Sequence, residues 1–252
     1  MMDYPILIFA LCFFSLWLAV YIGASLARKS RKLLADERAD LGVVLTAALT
    51  LLGLIIGFTF SMAVTRYDQR KDLEAAEANA IGTEIARTGL MPAVEAAKTR
   101  ELLRSYLKQR ALFYTTRDED RIQQIRMATA QMQANLWSTV QDYAASKPTP
   151  IAALVVSGMN DVLNSQAYTQ ASWWNRIPAA AWVLMAVIAI FCCGLLGYAA
   201  HRPEGEAGRV IMLPLIVATS FFLIADIDSP RGGVIRIHPL NLEDVYWSSG
   251  RP

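Results

Sequence analysis

Charge is scarce in this chain, and its absence is concentrated. Of 252 residues only 18% are charged, against about 25% in ordinary soluble domains. Four stretches hold no charge at all: Pro5–Ala27, Leu41–Val64, Pro178–Ala200 and Val210–Ala225. Cysteine is scarce too. Cys12, Cys192 and Cys193 all lie inside those apolar runs, which excludes a disulfide framework and leaves no metal-ligand spacing. His201 and His238 are the only histidines, and each stands alone. There is no nucleophile elbow, phosphate loop or zinc signature. The apolar runs hold no acid, base or ligand set of the kind that marks chemistry inside a membrane. An enzyme and a proton-coupled transporter are therefore disfavoured, and no cofactor, metal or catalytic residue is expected. A net charge of +2 gives no reason to expect a nucleic-acid partner.

What is present is apolar length. A membrane-spanning helix takes about 20 apolar residues, so the first three runs qualify outright. The fourth is shorter and reaches full length if Arg209 snorkels at its end. The first run has no basic segment before it and is too long for a signal peptide. Its basic cluster, Arg28–Lys32, comes after it, so it reads as a retained helix.

Between the second and third runs, residues 65–177 have helical periodicity. Four helices are expected: Thr65–Thr88 continuing the second span, Pro92–Tyr114, Asp118–Tyr143 and Ile151–Trp174. Pro92 sits at a first-turn position. The acidic start "DED" suits the helix dipole, and "KPTP" at Lys147–Pro150 breaks the chain. The only strand-like stretch is Gly233–Ile237. The mixed charges of this insert read as solvated helical faces. The expected fold is an all-α membrane protein with four transmembrane helices and a helical extramembrane domain inserted between the second and third. Its divisions are 1–64 (spans one and two), 65–177 (the helical domain), 178–228 (spans three and four) and 229–252 (a tail).

The second span carries the most information. At 100° per residue, Thr46, Thr50, Gly53, Gly57 and Ser61 fall within roughly 80° of one another. Two readings fit this stripe. Gly53, Gly57 and Ser61 are small enough for another helix to pack closely. Alternatively, Thr50, Leu54 and Phe58, one turn apart on an adjacent face, form stacked rings in an oligomer and constrict a pore by dewetting. The helix then leaves the membrane through Arg66, Tyr67, Asp68, Arg70 and Lys71, a set of interface charges that would stand in a vestibule. Glu77 and Asn79 are polar within an Ala-rich stretch and suggest tight packing or hydrogen bonds between subunits.

This stretch resembles the second membrane helix of bestrophins, the pentameric anion channels. The shared pattern is Gly57-Phe58, then Arg66-Tyr67, then Arg70-Lys71. It is more similar still to a bacterial bestrophin-like family, through "GFTFSMA", "RYD", "EANAIGT", Leu90-Met91-Pro92 and "ADIDSPRGG" at Ala225–Gly233. The resemblance implies a homo-oligomer, a pentamer, that passes inorganic ions through a lipid bilayer along an apolar neck at Thr50, Leu54 and Phe58. Thr50 departs from the apolar residue usual there. Asp68 replaces the second residue of an aromatic pair, and its charge disfavours the anions that the resemblance otherwise implies.

Asp226 and Asp228 follow the last span, where negative charge opposes the helix dipole. With Arg231, and with Arg66 or Arg70, they are expected to fasten the tail to the exit helix. "DID" is a thin version of the acidic cluster with which some bestrophins bind calcium, an ion that takes six to eight oxygens. Orientation is finely balanced. Arg28, Lys29, Arg31, Lys32, Arg38, Arg202 and Arg209 flank one side, and Arg66, Arg70, Lys71, Arg176, Arg231 and Arg236 the other. The resemblance favours a bacterial inner-membrane protein with its helical domain in the cytoplasm. The alternative from another class is a membrane-anchored helical sensor or scaffold that needs a partner for output.

Overall fold

The computed structural model describes residues 5–29, 35–200 and 207–249. Arg31, Lys32, His201 and Arg202, and the side chain of Arg209, lie outside that description, so the flanking-charge comparison draws partly on residues beyond it. Among the described residues there are eight α-helices and no strand: α1 (Pro5–Lys29), α2 (Ala35–Arg87), α3 (Ala93–Thr115), α4 (Glu119–Ser146), α5 (Pro150–Trp174), α6 (Ala179–Ala199), α7 (Ala207–Asp228) and α8 (Leu240–Ser248). Four of these segments are long and apolar enough to cross a membrane. The protein is an all-α membrane protein, with the helical insert lying between the second and third spans.

The expected helices are present, and two details differ from the sequence reading. Gly233–Ile237 is not a strand. The amides of Val234 and Ile235 donate to the Asp226 carboxylate (2.7 and 2.8 Å) instead of to a neighbouring strand. The tail also forms α8, which periodicity over nine residues was too short to reveal.

Two compact units emerge. The first comprises residues 1–66 and 176–235, the second residues 67–175 and 236–252. In the first, α1, α6 and α7 pack around Leu16, Val20, Met185, Ala189, Cys193, Val217 and Phe221, and α2 adds Leu52. The closest approach is between α1 and α6. A Cβ on Gly23 would overlap the Gly194 carbonyl, and one on Gly197 would overlap the Val20 carbonyl. With little hydrophobic drive between helices inside a bilayer, such backbone proximity is what holds them together. Edge-on contacts of Phe9 with Phe222 (6.2 Å) and Trp182 with Phe221 (6.0 Å) add aromatic packing.

The second unit is a water-type helical domain with its own core, including Ile81, Leu103, Tyr106, Leu107, Leu136, Val155, Met159 and Val162. Each such fully buried side chain contributes about 1.5–3 kcal/mol. Phe113, Tyr114 and Trp173 form an aromatic cluster with centroids 4.9 to 5.7 Å apart. Helix starts are set locally. The Asp118 carboxylate accepts the Arg121 amide at 2.8 Å, and Thr149 caps α5 ahead of Pro150.

Candidate functional site

The second half of α2 turns its charges inward. Arg70, Glu74, Glu77 and Glu84 recur at helical spacing and are all buried. The reading of the insert's charges as solvated faces fails here, because each of the first three has a specific partner. Arg70 donates to the Ser172 and Asn175 carbonyls (3.3 and 3.1 Å) at the end of α5, where unpaired carbonyls collect. Glu74 accepts the Leu242 amide at 3.0 Å and the Asn241 side chain, anchoring the start of α8. Glu77 takes both arms of the Arg110 guanidinium and the Tyr114 hydroxyl at 3.4 Å. Burial, together with the nearby Glu77 charge, drives the Tyr114 phenol well above its usual range. The inner face of α2 is thus a polar hub tying α3, α5 and α8.

Glu84 differs from these. Its carboxylate is fully buried with no hydrogen-bond donor among the described residues, and Arg87 lies 3.6 Å away. Burial raises its pKa to about 7, Asp161 adds to the rise, and Arg87 opposes it. Gly158 backs this pair, since any Cβ there would overlap the Glu84 and Arg87 side chains.

In the first unit, the end of α7, the approach to α6 and the middle of α2 meet on Asp228. Its carboxylate accepts the Ile177 amide just before α6 (3.3 and 3.2 Å) and lies 3.7 Å from Arg66 on α2. Asp226 accepts two amides of the Ser229–Ile235 loop, and Ser229 Oγ accepts the Gly232 amide at 3.1 Å. Both aspartates are 2% exposed. Their oxygens hold backbone and arginine, and no group of three or more potential metal ligands occurs among the described residues.

The open side of α2 is the complement of all this. In its membrane part, Leu49, Leu52, Ile55, Ile56, Thr59 and Ala63 face the chain's own core. Diametrically opposite, Val43, Ala47, Thr50, Leu54, Phe58, Ser61 and Thr65 are exposed. Leu54 is 53% and Phe58 65% exposed. Only 6% of this span's most apolar window is buried, against 50% for the fourth span. Thr50 and Thr65 donate to the Thr46 and Ser61 carbonyls one turn back (2.9 Å each), leaving hydroxyl oxygens on the open side. A methyl added to Gly53 or Gly57 would meet nothing within 4 Å, so among the described residues no helix of the same chain approaches them.

The exit charges separate by side. Arg66 is 15% exposed and Arg70 is 1% exposed. Both cations therefore point into protein, away from the open face. Tyr67 is half-buried, its hydroxyl 3.5 Å from the Arg236 carbonyl. Lys71 is exposed and stands over the Tyr67 ring at 5.9 Å. Asp68 is exposed and remains on the open face, as does Asn79 further along. The inward polar hub and the close contacts of Gly23 with Gly194 and of Gly197 with Val20 escaped sequence reasoning. The spacing 70-74-77-84 and the pair Gly194/Gly197 were the available signals.

No curated protein matches this chain. Among solved structures it is similar to a bacterial bestrophin homolog from Klebsiella pneumoniae solved by Zn-SAD phasing: 13% identity, TM-score 0.67, covering 97% of this chain and 96% of that one. A singly substituted form of that homolog gives 12% identity and a TM-score of 0.65, with 97% of each chain covered. A substituted form of a membrane protein gives 13% identity and 0.66, covering 98% and 99%. At such identities the likeness is one of fold. The family model of the bestrophin-like domain matches residues 6–242, nearly the whole sequence, and the chain accordingly belongs to the bestrophin-like family.

Proposed function

We propose that this protein is a passive ion channel of the bacterial inner membrane. Several copies, five by the family resemblance, stand in a ring with their α2 helices around a water-filled axis. The observation that carries this reading is the composition of the bare side of α2. Helices facing lipid show bulky apolar surfaces, and α1 does so with Ile6, Leu11, Phe14, Leu18 and Ile22, as does α6 with Val183, Val187, Ile190 and Phe191. Along the middle of its bare side the least covered span instead presents Thr50, Ser61 and Thr65, with Leu54 and Phe58 between Thr50 and Ser61, while the apolar Val44, Leu51, Phe60 and Met62 are exposed to either side of this line. Hydroxyls flanking a short apolar pair suit a wet conduit with a constriction that gates by dewetting.

The flank beside this face carries Thr46, Gly53 and Gly57, which accommodate the α2 helix of a neighbouring copy at close range. Thr50, Leu54 and Phe58 form the neck, and the second unit stands on the cytoplasmic side. Asp226 and Asp228, with Arg66 and Arg231 nearby, hold the tail-proximal loop so that the exit of α2 stays fixed. The test is flux through liposomes containing purified oligomer. Flux is expected, and Leu54→Ala and Phe58→Ala should each change it by several-fold. Absence of flux from a verified oligomer, or flux indifferent to both substitutions, contradicts the reading.

A further inference from the structure

The open face of α2 does not stop at the membrane. Stepping by three or four residues, it runs Asp36, Asp40, Val43, Ala47, Thr50, Leu54, Phe58, Ser61, Thr65, Asp68, Asp72, Ala76, Asn79, Thr83 and Ala86. At 100° per residue these lie within about 80° of one another. Every one of them is exposed.

The charge on this line has one sign. Its only ionisable residues are four aspartates, two before the apolar section and two after it. The helix is not poor in cations. Arg38, Arg66, Arg70, Lys71 and Arg87 all belong to it, and all lie off the line. Arg38, Arg66 and Arg70 fall on the far side of the helix. Arg66 faces Asp228 and Arg70 donates to α5 carbonyls. Lys71 lies about a quarter turn away over Tyr67. Arg87, on the near flank, is engaged with Glu84. The asymmetry therefore comes from where the fold places charge, not from overall composition.

We propose that Asp36, Asp40, Asp68 and Asp72 set the charge selectivity of the conduit and make it prefer cations over anions. The proposal rests on the conduction reading above. In a ring of copies, each aspartate becomes a ring of carboxylates, and the apolar neck lies between two acidic mouths. Acidic rings select cations by raising their local concentration and repelling anions, an effect that channel mouths with low-dielectric walls amplify. The neck itself, Thr50, Leu54 and Phe58, has no charge with which to discriminate. Selectivity must then come from its two ends.

The experiment is reversal-potential measurement on the full-length protein in planar bilayers under a potassium chloride gradient. The wild type is expected to show a potassium-to-chloride permeability ratio of about fivefold or more, within the range that electrostatic focusing supplies. The paired variants Asp36→Asn/Asp40→Asn and Asp68→Asn/Asp72→Asn should each lower it, and the four-site variant should bring it to about one. Asp68→Glu/Asp72→Glu should retain cation preference and serves where the four-site variant does not assemble. Raising the salt should weaken the wild-type preference, since mobile ions screen the rings. A chloride-preferring current, or a cation preference unmoved by either pair of neutralisations, overturns this proposal and leaves conduction standing. No current from a verified oligomer overturns conduction and this proposal together.

Discussion

Arg66 Nη1 lies 3.7 Å from Asp228 Oδ1, joining the end of the second span to the end of the fourth. The same carboxylate accepts the Ile177 amide that precedes the third span. Removing it takes a nearby counter-ion from a mostly buried guanidinium and the acceptor from a buried amide. Asp228→Ala is expected to destabilise the protein by about 2–4 kcal/mol. Asp228→Asn, which keeps an oxygen for Ile177, should cost less. Thermal unfolding in detergent reads both. Equal midpoints for wild type and Asp228→Ala would remove Asp228 from this role.

Gly233 is required by contact, not by backbone angle. A methyl there would come within 2.5 Å of the Asp226 carbonyl oxygen and 2.9 Å of its carboxylate. Gly233→Ala should therefore open the loop that Asp226 holds and cost about 1–3 kcal/mol. Limited proteolysis between residues 229 and 235 is expected to accelerate in that variant and to stay slow in Gly89→Ala, whose site is open.

Glu84 makes stability depend on pH. Its carboxyl is raised from 4.5 to about 7 in the folded chain, chiefly by burial. The folded state thus holds the proton more tightly than the unfolded one. That contribution is complete below about pH 4.5 and is lost as pH rises through about 7. Glu84→Gln has no such loss. Its advantage over wild type should grow from pH 5 to pH 8 and reach on the order of 1–2 kcal/mol, allowing for the partial compensation by Arg87. Parallel melting curves for the two proteins across that range would contradict the assignment.

The contact between α1 and α6 predicts a large effect from a small substitution. Gly197→Val would drive a side chain into the Val20 backbone. Destabilisation or misassembly is expected, on the order of 3 kcal/mol, because backbone cannot yield as a side chain can. The same substitution at Gly53, open within the chain, should leave the monomer fold unchanged and act only on assembly.

The parts of this fold that were legible in sequence are those that depend on local pattern. Uncharged runs of membrane length, the Pro92 helix start, the acidic start at Asp118 and the break at Lys147–Pro150 each declare themselves within a few residues. The parts that were not legible depend on partners far along the chain. Glu77 reads as a packed or hydrogen-bonded polar group, but its partners Arg110 and Tyr114 lie too far along the chain to be named, and Arg70 reads as a vestibule cation until the end of α5 arrives. Gly23 shows its purpose only beside Gly194. Likewise, the row of aspartates on α2 becomes meaningful once the five cations of that helix are seen to lie elsewhere. The open face itself is a negative feature of the folded chain, and periodicity alone could not separate it from the packed one.

The central claim, that the open face of α2 borders water inside an oligomer, is tested most directly by cysteine accessibility along that helix. With Cys12, Cys192 and Cys193 replaced by serine or alanine, single cysteines are placed at Thr50, Ser61, Thr65 and Asp72, and at Leu52, Ile56 and Ala63 as the packed-face series. Reaction with a charged, water-soluble thiol reagent in reconstituted membranes should be fast for the first series, should reduce ion flux, and should be slow for the second. Protection of Ser61 and Thr65 from the reagent, with reactivity only toward a membrane-dissolved maleimide, would place this face in lipid and contradict the account.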